Sequence, residues 1–153
     1  MKRIEYFKRG EQDPAPLEKS VLRVVRFNEI DPMNIMWHGH YASFFEDARV
    51  ALGDSYGIGY QDFYRRGFVT PVRRMQIDYL SPLQYGCEYK IKARLFYTEA
   101  ARLDYDFTVL DAAGSVHARG CTVQLILDKD QNLLLAKPAF FEAFCQKWRE
   151  GKL

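Results

Sequence analysis

Residues 31–49, DPMNIMWHGHYASFFEDAR, decide the reading of this chain, because they set a carboxylate a few positions ahead of a helix with one apolar face. From Tyr41 onward the apolar residues fall at Tyr41, Phe44, Phe45, Ala48 and Leu52, the three-and-four spacing of a broad buried stripe. A helix so patterned belongs at the centre of a domain. Its first turn, near residues 38–41, offers backbone N–H groups without intrahelical partners and the positive end of the peptide dipoles. Both suit a carbonyl oxygen that is gaining negative charge. Asp31 lies just upstream. An Asp before a Pro is, taken alone, most often a turn former or a helix-entry cap.

Outward from that stretch, composition narrows the class. At 153 residues with 48% hydrophobic content, the chain is expected to be one domain with a sizeable core, spanning 1–153. Ten Tyr and eleven Phe favour strands and thick packing layers over a plain helical bundle. The net charge of +2 is too small for an electrostatic nucleic-acid binder, so no nucleic-acid partner is expected. Cys87, Cys121 and Cys145 show neither metal-ligand spacing nor the even count of a disulfide framework, and Cys121 and Cys145 read as small buried hydrophobes. The charged start of the chain lacks a signal-peptide core, and no stretch is long enough for a membrane span. A cytoplasmic location is the expectation.

Along the chain there is no repeat and no low-complexity tract. Residues 1–20 read as a loose arm and residues 21–27 as a first strand, closed by the turn around Pro32. After the central helix, residues 60–66 suit one short amphipathic turn. Beyond Pro71 the period changes to alternation, with Met75, Ile77 and Tyr79 on one side and Gln76 and Asp78 on the other. Two half-buried strands follow at residues 89–97 and 103–109, the second with Asp104, Asp106 and Thr108 on its polar side. A strand near 116–127, a turn at 128–132, a last strand at 133–136 and a terminal helix over 138–150 complete the series.

Strand, long apolar helix, then consecutive antiparallel strands is the order of the α+β hot dog fold, an antiparallel sheet wrapped around a central helix. Residues 31–49 also resemble the 4-hydroxybenzoyl-CoA thioesterase family and the related acyl-CoA thioesterases associated with the Tol-Pal system. The likeness rests on Asp31 in a turn, the aromatic-His pair Trp37-His38, Tyr41 opening the helix, and Glu46 with Arg49 inside it. Residues 73–91, RRMQIDYLSPLQYGCEYKI, are similar to the family's second strand, its Pro turn and its Gly-bearing entry to the third. The turn after Asp31 departs from the family, carrying Met33 and Asn34 where small residues or glycines are usual.

The resemblance implies an acyl-CoA thioesterase, with Asp31 as nucleophile or general base and the N–H of His38, joined by that of Gly39, polarising the carbonyl. Trp37, Tyr41 and Glu46 would serve as substrate-side or supporting residues. Arg73, Arg74 and Arg102 would meet the phosphates of coenzyme A, since guanidinium pairs well with phosphate oxygens, although solvated surface charge is the default for all three. His38 and His40, with Asp31 and His117, invite a metal-site reading, but their spacing is not diagnostic and neither metal nor organic cofactor is expected. The substrate would be acyl-CoA or an acyl carrier protein conjugate, and the protein a homodimer or homotetramer with sites at the subunit boundary. Competing readings are a hydratase or dehydratase using His38 with Glu46 on an enoyl thioester, and a non-catalytic acyl-binding dimer.

Overall fold

The computed structural model describes residues 4–153 and arranges them around one helix. That helix, α1, runs Tyr41–Tyr56 and buries Phe44, Phe45, Ala48 and Leu52 completely, the stripe expected from its spacing. Five antiparallel strands curve around it: β1 (Leu17–Val24), then β3 (Val72–Tyr79), β4 (Glu88–Phe96), β5 (Arg102–Leu110) and β6 (Val116–Leu125), in the spatial order β1-β4-β5-β6-β3. A short helix α2 (Tyr60–Arg65) follows α1. Strand β2 (Phe68–Val69) pairs with β7 (Leu127–Asp128) as a separate ribbon, and α3 (Ala139–Arg149) closes the chain. The chain thus leaves α2 and crosses to the edge opposite β1 before the remaining strands are laid between. This is the hot dog arrangement. Among the described residues no helix is long and apolar enough to cross a membrane.

The helix lies close on the sheet because one strand position is empty of side chain. The Phe45 ring stacks on Phe107 of β5 at 4.6 Å and 5°. A Cβ at Gly120 of β6 would stand 2.4 Å from the Phe45 ring and 2.7 Å from the Gln76 carbonyl oxygen. The second neighbour is backbone in a paired strand and has little room to yield.

Several boundaries differ from the sequence reading. β1 begins at Leu17, so the arm is shorter than 1–20 and residues 25–27 lie beyond the strand; residues 1–3 lie outside the described region. Edge pairing with β4 runs from Leu17↔Leu95 to Val24↔Glu88, and the polar run Glu18, Lys19, Ser20 hides it from an apolar pattern search. The last expected strand, 133–136, is a single bridge, Leu127↔Leu133, because the Asp128 carboxylate closes its own turn on the N–H groups of Asp130 and Asn132 and only Leu134 returns, to Ile126. β6 correspondingly stops at Leu125 rather than continuing to 127.

Asp104 and Asp106 are buried instead of lying on a wet face. The early chain covers them: the Phe7 ring packs 5.5 Å from Phe96, and the Tyr6 hydroxyl donates to Asp78 on the same face. Arg94 neutralises Asp106 and Arg102 neutralises Asp104, as burial of a carboxylate demands. At the edge, β3 is less buried than its alternation suggests, with Met75 40% and Tyr79 49% exposed. Cys121 and Cys145 are buried as expected, and α3 docks Phe141, Cys145 and Trp148 inward.

Gly120→Ala is expected to destabilise the fold by about 1–3 kcal/mol, the usual cost of forcing extra volume into a packed core. Urea unfolding reads this as a lowered midpoint with an unchanged slope. A wild-type midpoint would contradict the close seat of Phe45 over β6.

Candidate active site

The segment leading into α1 is a tight hairpin. The Asn34 N–H bonds the Asp31 carbonyl at 2.9 Å, the Asp31 N–H bonds that of Ile35 at 2.9 Å, and Ile30 bridges Met36. Pro32 has the fixed φ that the second residue of such a turn needs. Asn34 carries φ of 61°, the left-handed conformation that Asn tolerates best after glycine. Asn34 therefore occupies the backbone state a glycine would otherwise supply, which accounts for the departure at Asn34. The hairpin is stapled on two sides: Met36 N–H to Leu83 carbonyl and Trp37 N–H to Glu29 carbonyl, each 2.8 Å. Buried Glu29 in turn takes Arg23 at 3.0 Å, and Arg23 also pairs with Asp47 of α1 and lies 4.4 Å over the Phe44 ring.

This frame opens a cleft of about 280 Å³ at the start of α1, lined by Asp31, Met33, His38, Tyr79, Ser81 and Pro82 among others. Asp31 is half-buried, and its Oδ1 accepts the Met33 N–H at 2.8 Å. Among the described residues its Oδ2 has no hydrogen-bond partner. A 3-10 turn, His38–His40, leads into the helix, with the His40 N–H bonded to the Trp37 carbonyl at 3.0 Å. The N–H groups of His38 and Gly39 precede the first intrahelical bond and have no acceptor among the described residues. The Asp31 carboxylate and His38 at the helix start thus line one opening, with the Gly39 N–H next in the chain, an arrangement that can attack a carbonyl and hold the resulting oxyanion.

The sequence model of the Thioesterase-like superfamily matches residues 25–148. The chain belongs to this superfamily. It is 27% identical over 124 residues to YneP of Bacillus subtilis (strain 168), whose name as an acyl-CoA thioesterase is provisional; the match covers 81% of this chain and 87% of that one. ATL3 of Arabidopsis thaliana, named a chloroplastic acyl-acyl carrier protein thioesterase, is 29% identical over 104 residues, 66% of this chain and 55% of its own. The chain thus spans about half the length of that plant relative. A solved structure of a DHNA-CoA thioesterase from Staphylococcus aureus is similar in fold, with a TM-score of 0.75 at 24% identity over 89% of this chain and 96% of that one. The superfamily is a broader grouping than the 4-hydroxybenzoyl-CoA and Tol-Pal enzymes that residues 31–49 resemble.

In this member of the Thioesterase-like superfamily the residues singled out from sequence divide into two sets. Asp31, His38 and Tyr41 meet at the cleft, Tyr41 as its buried floor. Trp37 is 46% exposed, with its ring 5.0 Å from His38 and 5.4 Å from His40. The ring leaves no room for a Cβ on Gly39, which would stand 2.1 Å away, so glycine is required in this turn as the tryptophan is placed. Glu46 lies eight residues beyond His38, about 12 Å along the helix axis, and does not line the cleft. It pairs with Arg49, whose guanidinium is buried and bonds Thr122 at 3.0 Å. The expected Glu46–Arg49 pair is present, but its Arg end is inside the protein, and the His38–Glu46 couple of a hydratase is not assembled in this cleft.

Arg73 and Arg74 are exposed near the start of β3, and Arg74 is about 17 Å along the strand from Tyr79. Arg102 sits at that same far end and is held by Asp104 at 3.0 Å. Within one subunit none of the three reaches the cleft. Among the described residues no three His, Cys, Asp or Glu side chains converge as a metal site would require. His117 instead lies between Asp111, 3.0 Å away, and the Pro82 carbonyl, 3.2 Å away, where it supports the cleft wall. The Asp111 carboxyl is held below its usual range, first by His117 and then by the Ser115 N–H.

Sequence reasoning missed Tyr79, Ser81 and Pro82 as site residues. Tyr79 was read only as one member of an alternating strand, and Ser81-Pro82 only as its end. No sequence signal marks them, because the bond from Tyr79 to the His38 carbonyl joins segments 41 positions apart. A larger hollow of about 610 Å³ beside the β2–β7 ribbon, between Tyr64, Val69 and Lys129, offers no comparable chemistry, since the Asp128 carboxylate serves its own turn.

Proposed function

We propose that this protein hydrolyses an acyl-CoA thioester to a carboxylic acid and free CoA at the cleft between Asp31 and the first turn of α1. The observation that carries the reading is the cleft that Asp31 and His38 line together at the start of α1, in a chain of the Thioesterase-like superfamily. The names of YneP and ATL3 support an acyl thioester as substrate, and the resemblance of residues 31–49 to the 4-hydroxybenzoyl-CoA and Tol-Pal-associated thioesterases supports hydrolysis of acyl-CoA. In the reaction, Asp31 attacks the carbonyl carbon to form an anhydride that water then opens, or takes a proton from water whose oxygen attacks. In either route the carbonyl oxygen becomes an oxyanion facing His38 and Gly39 N–H. Collapse expels the CoA thiolate, and the proton it takes comes from the hydrolytic water, carried by the Asp31 carboxyl in the second route. This chemistry calls on no metal or organic cofactor.

The assembly proposed is a homodimer through β3. One side of β3 pairs with β6 and the other is an open edge of the five-stranded sheet, a feature that folded proteins ordinarily cover. Antiparallel pairing of two copies about the middle of β3 sets the strand's start opposite the partner's Tyr79 end. Arg73 and Arg74 then approach the neighbouring cleft mouth, where the phosphates of CoA would lie. Arg102, committed to Asp104, stays outside this reading.

Asp31→Asn tests the catalytic reading, since it keeps the side-chain volume and an acceptor for the Met33 N–H. With acetyl-, palmitoyl- and benzoyl-CoA screened by thiol release in the presence of EDTA, the variant is expected to lose about two to four orders of magnitude in kcat on whichever substrate the wild type turns over, with KM changed far less. Near-wild-type turnover in a folded variant would overturn the proposal; activity only on acyl carrier protein conjugates would move the substrate to the other carrier. Light scattering at micromolar concentration is expected to give at least a dimer. A monodisperse, fully active monomer would contradict the β3 assembly.

A further inference from the structure

Tyr79 ends β3 and lines the same cleft as Asp31. Its hydroxyl donates to the carbonyl oxygen of His38 at 2.9 Å, and its ring packs edge-on against Tyr41 at 4.8 Å and 83°. The His38 carbonyl and the Gly39 N–H belong to one planar peptide unit, so a bond that fixes the oxygen also fixes the direction of the hydrogen. A donor on the carbonyl further polarises the amide and strengthens its N–H as a donor in turn. The same peptide is confined from the other side, where the Trp37 ring occupies the space beside Gly39.

We propose that Tyr79 is a positioning residue for thioester hydrolysis, its phenol holding and polarising the His38–Gly39 peptide so that the Gly39 N–H is ready for the oxyanion. The inference rests on the hydrolase reading given above. Tyr79 remains neutral and acts as a donor: burial pushes its phenol further above the ordinary tyrosine value, and no base in the cleft faces it other than Asp31 and His38. The contact links the edge strand to the helix start, so docking a partner along β3 and tuning the oxyanion donor involve the same residue.

Tyr79→Phe deletes the hydroxyl and keeps the ring on Tyr41, and Asp31→Asn is measured beside it on the acyl-CoA that the wild type hydrolyses fastest among acetyl-, palmitoyl- and benzoyl-CoA. The expected result for Tyr79→Phe is a fall in kcat of about five- to thirty-fold with KM within about two-fold, smaller than outright loss of an oxyanion donor. The Gly39 amide cross-peak in a ¹H–¹⁵N spectrum of the substrate-free protein should shift at the same time, a readout that ring packing alone leaves in place. Wild-type kcat in Tyr79→Phe alongside an inactive Asp31→Asn overturns the inference and leaves the hydrolase reading standing. A raised KM with unchanged kcat also overturns it, making Tyr79 a wall of the substrate cleft. Full turnover in Asp31→Asn removes the hydrolase reading and the inference together.

Discussion

The contact of the Phe45 ring with Phe107, made possible by the missing side chain at Gly120, is the constraint on which the rest depends. It sets how deeply α1 sits in the curved sheet and therefore where the helix begins relative to the ends of β3 and β6. A helix held away by even one methyl group would withdraw its first turn from Tyr79. The polar ties at the entry, from Glu29 through Arg23 to Asp47, keep the same end of α1 in place from the β1 side. Packing is thus fixed at the middle of the helix and orientation at its start.

The site follows from a division of labour between a rigid element and a turn. The 3-10 turn His38–His40 that leads into α1 presents backbone N–H groups whose direction is set by helical geometry, and the hairpin before it presents a carboxylate whose position is determined by backbone bonds at Asp31, Asn34 and Met36. Neither depends on a long flexible side chain. Asn34 in the left-handed conformation makes the hairpin possible without a glycine, so the Asn preserves the turn's backbone path.

The helix and the identity of its buried face were legible in sequence because they depend on local spacing: Phe44, Phe45, Ala48 and Leu52 recur at helical period and nothing outside the helix alters that. Asp31 and His38 were legible as candidates because they are close in sequence to the helix start. What was hidden depends on contacts between distant segments. β1 begins at Leu17 and runs on through Glu18, Lys19 and Ser20, residues that read as loop until β4 pairs with them. Asp104 and Asp106 alternate like solvent-facing residues and are buried because residues near the start of the chain cross above them. Tyr79 enters the site through a bond to His38, 41 positions away in sequence, and no local pattern announces it. The arginines illustrate the reverse error, since their chemistry fits phosphate while their strand positions put them at the far end of the sheet from the cleft in one subunit.

The central claim is geometric: a substrate carbonyl sits between the Asp31 carboxylate and the N–H groups of the turn that leads into α1. A crystal structure with an acyl-CoA ketone analogue, in which a methylene replaces the thioester sulfur and the carbonyl is retained, tests it most directly. The account predicts the carbonyl oxygen at about 3 Å from the N–H of His38 or Gly39. It predicts an Asp31 oxygen within about 3.5 Å of the carbonyl carbon, directly or through one water. An acyl group lodged beside Glu46 and Arg49, or in the hollow by Tyr64 and Lys129, with the Asp31 cleft empty, would contradict it.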